Sequence, residues 1–203
     1  MTQRSANATT GVLLAAGAGT RLGLGPKALL PFHSRTLVEV IAGILSEGGC
    51  SEVVVVLGAE AAAVRGSTDL SRYVVVENQD WAKGMAGSFR SGIDAATRGN
   101  NIMVALVDQP GLTATAVSRL LGSHGPGRVT AAAYPDESGH LKRRHPVIFD
   151  VGLREQAAEA AAGDTGARSF LKAHPGLVDL VDCSNVCSGA DLDTKDQLYL
   201  LDG

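Results

Sequence analysis

The run Val53-Val54-Val55-Val56-Leu57 constrains this chain more than any other segment. A strand with one wet face alternates apolar and polar residues; this run does not alternate, so it calls for a strand buried on both faces. Strands of that kind lie inside a parallel sheet with helices packed on either side. Val12 to Ala16, Tyr73 to Val76, Ile102 to Val107 and Arg128 to Tyr134 read as further strands, with shorter ones at Pro146 to Phe149 and Val178 to Val181. Helical periodicity spans Thr36 to about Leu45, with Thr36 as N-cap and Gly48-Gly49 as the stop. It returns over Ser88 to Ala96, over Thr113 to Leu121 behind a Thr113 cap, around Leu153 to Ala162, over Ala167 to Ala173, and after Thr194. Ala61-Ala62-Ala63 reads as helix filler, and the polar stretch Asp136 to Arg144 as a hairpin or a flap. Strands alternating with helices imply an α/β fold: a doubly wound, mostly parallel, Rossmann-like sheet flanked by helices.

At 203 residues the chain suits one domain, expected over residues 11–203 behind a disordered tail at 1–10. Eighteen Lys and Arg against 21 Asp and Glu leave a net charge of −3, with no global positive field to hold a nucleic-acid backbone. Met1 to Thr10 has no apolar core of a signal peptide, and no segment keeps about 20 apolar residues together. Neither export nor membrane spanning is expected, and a cytoplasmic location is. Cys50, Cys183 and Cys187 are odd in number; the C-x3-C pair has no second pair to complete a metal site, so all three read as reduced thiols.

In open parallel sheets, ligands sit beyond the carboxyl ends of the strands. Leu14-Ala15-Ala16-Gly17-Ala18-Gly19-Thr20-Arg21-Leu22-Gly23, with Lys27 just after it, occupies such a place. Small residues let backbone N–H groups approach phosphate oxygens, and Arg21 and Lys27 can neutralise them. A Walker loop is excluded because Lys27 follows Pro26 and precedes Ala28, and a dinucleotide fingerprint because Leu22 replaces its last glycine. A bare tight turn explains the glycines alone, but not the two cations. Asp108, after the strand Ile102 to Val107, suits a Mg²⁺ ligand or a turn-closing cap. Asp191 and Asp193 stand two apart, so on extended backbone both project to one side and can share a cation; alternatively Asp193 or Thr194 caps the last helix. Asp191 is the expected second metal ligand and Asp193 the expected cap. Gly84, Gly87 and Ser88 can face a base or phosphate at a helix start, while Trp81 is more simply packing. Arg143-Arg144-His145 is a basic cluster before a strand that suits an anionic ligand or a solvated face. The other histidines, His33, His124, His140 and His174, show no spacing for a metal site or a nucleophile.

These segments resemble the MobA-like NTP transferases, within them the molybdenum cofactor cytidylyltransferase branch, from Gly11 to Leu198. The opening L-A-A-G-x-G-x-R-L-G with Lys27, the D-Q-P at Asp108 to Pro110, W-x-x-G-M-x-x-S from Trp81 to Ser88, the G-D-x-G-A-R ending at Arg168 and the D-L-D-T at Asp191 to Thr194 carry the resemblance. It implies a nucleotidyltransferase with Leu14, Ala15, Ala16, Gly17, Gly19, Arg21, Lys27, Gly84, Ser88 and Asp108 around the nucleotide. It further implies catalytic roles for Arg21, Lys27 and Asp108, Mg²⁺ on Asp108 and Asp191, and an acceptor held by His145 and Arg168. Ala16 points to CTP rather than GTP in that family, and the acceptor to a phosphorylated small molecule of the molybdopterin type. A molybdoenzyme or its chaperone would then receive the product. Arg144 stands where the family has glycine, Gly87 where serine is common, and Lys195-Asp196 where Pro-Glu is usual. Alternatives are another NTP transferase, guanylyl included, and a binding protein that delivers cofactor without catalysis.

Overall fold

A computed structural model describes residues 7–202. Among the described residues nine strands and six α-helices follow one another: β1 Thr9–Ala15, β2 Pro31–Phe32, β3 Arg35–Thr36, α1 Leu37–Glu47, β4 Glu52–Leu57, α2 Ala61–Ser67, β5 Val74–Glu77, α3 Met85–Ala95, β6 Asn101–Leu106, α4 Ala114–Ser123, β7 Val129–Pro135, β8 Leu141–Phe149, α5 Arg154–Glu159, α6 Arg168–Ala173 and β9 Val178–Asp182. The main sheet runs β5-β4-β1-β6-β8-β7-β9. All its neighbours pair in parallel except β8, which is antiparallel to both β6 and β7. The expected mostly parallel α/β fold is the one observed.

The valine run becomes β4, next to β1 and with β5 at the sheet edge beyond it. Val53 is 4% exposed and Val54, Val55, Val56 and Leu57 are 0% exposed, because successive side chains enter two different cores. Val53, Val55 and Leu57 join Leu13 and Met103 under Leu37, Ile41 and Leu45 of α1 and Val117 and Leu120 of α4. Val54 and Val56 join Val12, Leu14, Ile102 and Val104 on the opposite face, under Phe89 and Ile93 of α3 and beside Phe149 and Phe170. Local signals set the helix ends. Thr36 and Glu39 form a reciprocal capping box on α1, and the Thr113 hydroxyl accepts from Ala116 N at the start of α4. Arg154 is buried and donates to the carbonyls of Thr97 at 2.8 Å and Asn100 at 3.2 Å, and to Ile93 and Ala96, so it closes the carboxyl end of α3.

Two expectations need correction. β1 begins at Thr9, with Thr9 and Thr10 buried and Thr10 Oγ1 donating to Glu52 Oε2 at 2.7 Å, so residues 9 and 10, expected to belong to a disordered tail, are part of the sheet. The part of that tail at residues 1–6 lies outside the described residues. The final helix is a 3-10 helix, Lys195–Leu201. Of the two readings of Asp136 to Arg144, the hairpin is the one observed: it joins β7 to β8, with Leu141 to Arg144 already inside β8. Among the described residues no helix is long and apolar enough to cross a membrane.

Helix α3 lies against the sheet through Gly92, where an added Cβ would stand 2.3 Å from Val12 Cγ1 and 3.1 Å from Val56 Cγ2. Gly92→Ala should therefore lower stability by about 1–3 kcal/mol through overpacking. Urea unfolding checks this: the midpoint should fall while the slope stays the same.

Candidate functional site

β1, β4, β5 and β6 run the same way, so the residues that follow them meet at one edge of the sheet. Ala16 and the glycine loop follow β1, Asn78 follows β5 and Asp108 follows β6. Antiparallel β8 reaches this edge with its first half instead of its end. Its ladder with β7 shifts between Ala131↔Val147 and Ala133↔Arg143, so Arg144, His145 and Pro146 stand opposite the single residue Ala132. The bulge turns the basic cluster toward the same edge as Asp108.

The loop after β1 folds on itself. Gly19 has φ +63°, its carbonyl accepts from the N–H groups of Leu22 and Gly23, and a Cβ there would lie 2.3 Å from the Gly25 carbonyl oxygen. Only glycine fits this close approach in the left-handed region. Leu14 and Ala15 belong to β1, and Ala16 O accepts from Ala59 N. Lys27 opens a short 3-10 turn, Lys27–Leu29.

Lys27 Nζ lies 3.0 Å from Asp108 Oδ2 and 2.7 Å from Asp193 Oδ1, with its side chain only 13% exposed. Burial alone would lower the Lys27 pKa, but the two carboxylates outweigh it and the ammonium sits above its ordinary value. Burial raises the Asp108 pKa; Lys27 opposes this, and the charges of Asp191 and Asp193 add to it. The Lys27 hydrogen bond holds Asp193 below the ordinary carboxylate range. Arg21 is 77% exposed and approaches Asp193 Oδ2 at 3.5 Å. Leu192 N donates to Asp108 O at 2.8 Å while the Leu192 side chain is buried, so Asp191 and Asp193 both turn away from the core, as their spacing requires.

The role expected of one C-terminal carboxylate changes. Asp193 is no cap: Thr194 caps the last helix together with Gln197, and the Asp193 carboxylate faces Lys27. Asp191 Oδ1 accepts from Gln109 Nε2 at 2.8 Å, and Asp191 Oδ2 lies 3.7 Å from Arg144 Nη1. Among the described residues, no group of three or more His, Cys, Asp or Glu side chains is placed to hold a metal. Asp108 does fit a cation, because its Oδ1 is buried and has no hydrogen-bond partner among the described residues. Mg²⁺ usually takes one or two carboxylates and completes its shell with water and substrate phosphates.

Beside this charged group is a cavity with an apolar floor of Leu14, Phe89, Val104 and Phe149 and a rim of Arg143, Arg144, His145 and Arg168. Gly84 opens α3 at φ +113°, where a Cβ would stand 2.5 Å from the Gly163 carbonyl carbon; this close approach brings the turn before α6 to the cavity. Arg168 begins α6 and is exposed on the rim. Ser88 does not join the site: it is buried and its Oγ accepts from Asn78 Nδ2 at 3.0 Å. Trp81 lies close over Gly58, where an added Cβ would stand 2.6 Å from Trp81 Cβ and 2.8 Å from Ala16 Cβ. The spacing of residues did not reveal Gln109 as the partner of Asp191 or Asp193 as the partner of Lys27, since both bonds join segments more than 80 residues apart.

His145 adds no charge to this rim at neutral pH. Burial pushes its pKa down to about 4; Asp191 opposes the shift, and Arg143, Arg168 and Arg144 reinforce it. A histidine with a lowered folded-state pKa keeps its full contribution to stability above its unfolded value near 6.5 and loses it as pH falls toward 4. NMR titration of the His145 ring should give a midpoint well below 6.5. His145→Gln should remove that portion of the stability loss between pH 6.5 and 4.

Residues 11–178 match the MobA-like NTP transferase domain. The chain is 55% identical over 194 residues to nicotine blue oxidoreductase of Paenarthrobacter nicotinovorans, covering 95% of each protein. It is 30% identical over 161 residues to molybdenum cofactor guanylyltransferase of Xanthomonas euvesicatoria pv. vesicatoria, covering 79% of this chain and 75% of that one. The fold is similar to the crystal structure of Rv0371c from Mycobacterium tuberculosis H37Rv, with a TM-score of 0.82 and 28% identity over 98% of this chain and 100% of that one. Rv0371c also has a structure in complex with manganese, similar at a TM-score of 0.75. With Lys27, Asp108 and Asp193 gathered at the carboxyl edge of its sheet, the chain belongs to the MobA-like NTP transferase family and carries a nucleotidyltransferase domain.

Proposed function

We propose that the protein transfers CMP from CTP to the phosphate of a molybdopterin-type cofactor and releases pyrophosphate. The observation that carries this reading is the Lys27 ammonium held between Asp108 and Asp193 at the mouth of the glycine loop. The loop from Ala15 to Gly19 lies where backbone N–H groups can meet a triphosphate, with Lys27 and Arg21 beside it. Arg143, Arg144 and Arg168 rim the adjoining cavity, which suits the phosphate of an acceptor whose ring system rests on Phe89 and Phe149. Ala16 supports CTP through the family resemblance; the guanylyltransferase relative keeps GTP as the alternative.

In this reading an oxygen of the acceptor phosphate attacks the α-phosphorus of CTP. The new P–O bond forms as the bond from the α-phosphorus to the bridging oxygen breaks, and pyrophosphate carries away the electron pair. The acceptor is already ionised near neutral pH, so the residues act by positioning and charge neutralisation rather than as a strong base. Lys27 exchanges carboxylate oxygens for phosphate oxygens, and Arg21 screens charge on the departing pyrophosphate. Asp108 would hold a Mg²⁺ ion, which would supply further neutralisation at the phosphates, and Asp191, now beside Gln109 and Arg144, would be its second carboxylate.

A second reading rests on the 55% identity to a protein named as an oxidoreductase, a nearer relative in sequence than the 30% guanylyltransferase. The same loop would hold the phosphates of a nucleotide-bearing hydride donor, and the cavity a flat organic acceptor that takes the hydride. Pyrophosphate release measured with CTP, GTP, ATP and UTP, with and without molybdopterin-type cofactor, separates the two. The transfer reading expects cofactor-dependent release from CTP, reduced about 100-fold or more in Asp108→Ala. Oxidation of NADH or NADPH by a flat quinonoid dye, with no NTP consumed, would replace it with the second reading. NTP binding with neither turnover would leave a delivery protein.

A further inference from the structure

Cys183 and Cys187 lie at the carboxyl edge of the sheet, yet the nucleotide site does not use them. Cys183 follows β9, and Tyr134 stands near the end of β7, the strand that pairs with it. The backbone from Cys183 to Cys187 makes one helical turn, with Cys187 N donating to Cys183 O at 3.0 Å and Val186 N to the same carbonyl. Residues four apart on such a turn have Cβ atoms about 5–6 Å apart, close enough for a modest closure to reach disulfide geometry. Tyr134 Oη is 2.8 Å from Cys187 Sγ. Cys183 is fully buried, while Cys187 is partly open to solvent. One accessible sulfur with a hydroxyl aimed at it, next to a buried second thiol, is the arrangement of an attacking and a resolving cysteine.

We propose that Cys187 is a peroxide-sensitive thiol, that Cys183 resolves it into an intramolecular disulfide, and that this bond acts on the loop carrying Asp191 and Asp193. The Cys187 thiolate attacks one oxygen of a hydroperoxide, forming a sulfenic acid and expelling the other oxygen as hydroxide or alkoxide. The Cys183 sulfur then displaces the sulfenic hydroxyl. Its proton and one from solvent complete the two departing oxygens, so two thiols are oxidised by two electrons and one peroxide is reduced.

The groups facing Cys187 favour its thiolate. The neighbouring Cys183 thiol lowers its pKa most, burial opposes this, and Tyr134 and the Arg119 guanidinium lower it further, bringing it down to about 7. Arg119 comes from α4 and is fixed by Asp182 O at 2.8 Å and Asn185 Oδ1 at 2.7 Å; the Asp182 carboxylate is the nearby anion. The turn is tied to α4 through Thr113 Oγ1, which donates to Val186 O at 2.9 Å. It continues through Gly189, where a Cβ would lie 2.4 Å from Tyr134 Cε2, to Asp191. Closing the turn therefore pulls on a short, packed segment that ends at the site.

The test treats the protein with hydrogen peroxide and reads intact mass, together with hydrogen exchange at the Leu192 amide, which donates to Asp108 O. A loss of two hydrogens mapped to a Cys183–Cys187 peptide, with Leu192 exchange changed by several-fold, is the expected result. Cys183→Ser should instead stop at the sulfenic acid, trapped by dimedone, and Cys187→Ser should give neither product. Tyr134→Phe should move the pH midpoint of iodoacetamide alkylation at Cys187 upward and slow the peroxide step. Dimedone labelling confined to Cys50, or no product in the native protein, would overturn the thiol assignment. A disulfide that leaves Leu192 exchange unchanged would overturn its link to the site. None of these readouts depends on which nucleotide reaction the protein performs.

Discussion

Lys27 Nζ stands 3.0 Å from Asp108 Oδ2 and 2.7 Å from Asp193 Oδ1, and it joins three segments that are distant in sequence. The first loop supplies the cation, the end of β6 one carboxylate and the C-terminal segment the other. Without the ammonium, Asp108, Asp191 and Asp193 would crowd like charges at a partly buried edge, where removing one partner of such a pair typically costs roughly 3–5 kcal/mol. The Leu192–Asp108 backbone bond and the buried Leu192 side chain hold the third segment in place. The folded protein therefore keeps an internal cation where the proposed reaction places phosphates and a metal. Ligand entry is then an exchange of ionic partners rather than the filling of an empty hole.

The one antiparallel strand of the main sheet, β8, has the next largest consequence. A fully parallel sheet would bring only strand ends to this edge, whereas β8 brings the middle of a basic segment. The ladder shift opposite Ala132 sets Arg144 and His145 outside regular pairing, and Gly84 lets the turn before α6 close the far wall. A polar rim over an aromatic floor follows from strand direction and one bulge. A fold of this kind does not by itself fix the chemistry, which rests on the side chains of the rim and floor.

Arg144 stands where the family resemblance leads one to expect glycine, and its guanidinium comes within 3.7 Å of Asp191, the carboxylate that Gln109 also holds. An exposed ion pair of that length is weak and easily exchanged. Asp108, by contrast, keeps a buried oxygen with no partner among the described residues, so the two carboxylates are not equivalent toward a cation.

Much of the fold was legible in the residues themselves. The unbroken valines required burial on both faces, and the position of the glycine loop, Lys27 and Asp108 after strands brought them to one edge of the sheet. Both follow from local rules, namely the two-residue period of a strand and the habit of ligands to sit beyond strand ends. Tertiary structure alone decided that β8 would enter between β6 and β7, that Ser88 would turn inward to Asn78, and that Asp193 rather than Asp191 would take Lys27. It also decided that Tyr134 would meet Cys187. The period of a strand reports how many of its faces are covered but not which strand lies beside it. Two carboxylates two residues apart are equivalent until the packing of Leu192 and the reach of Gln109 set them apart.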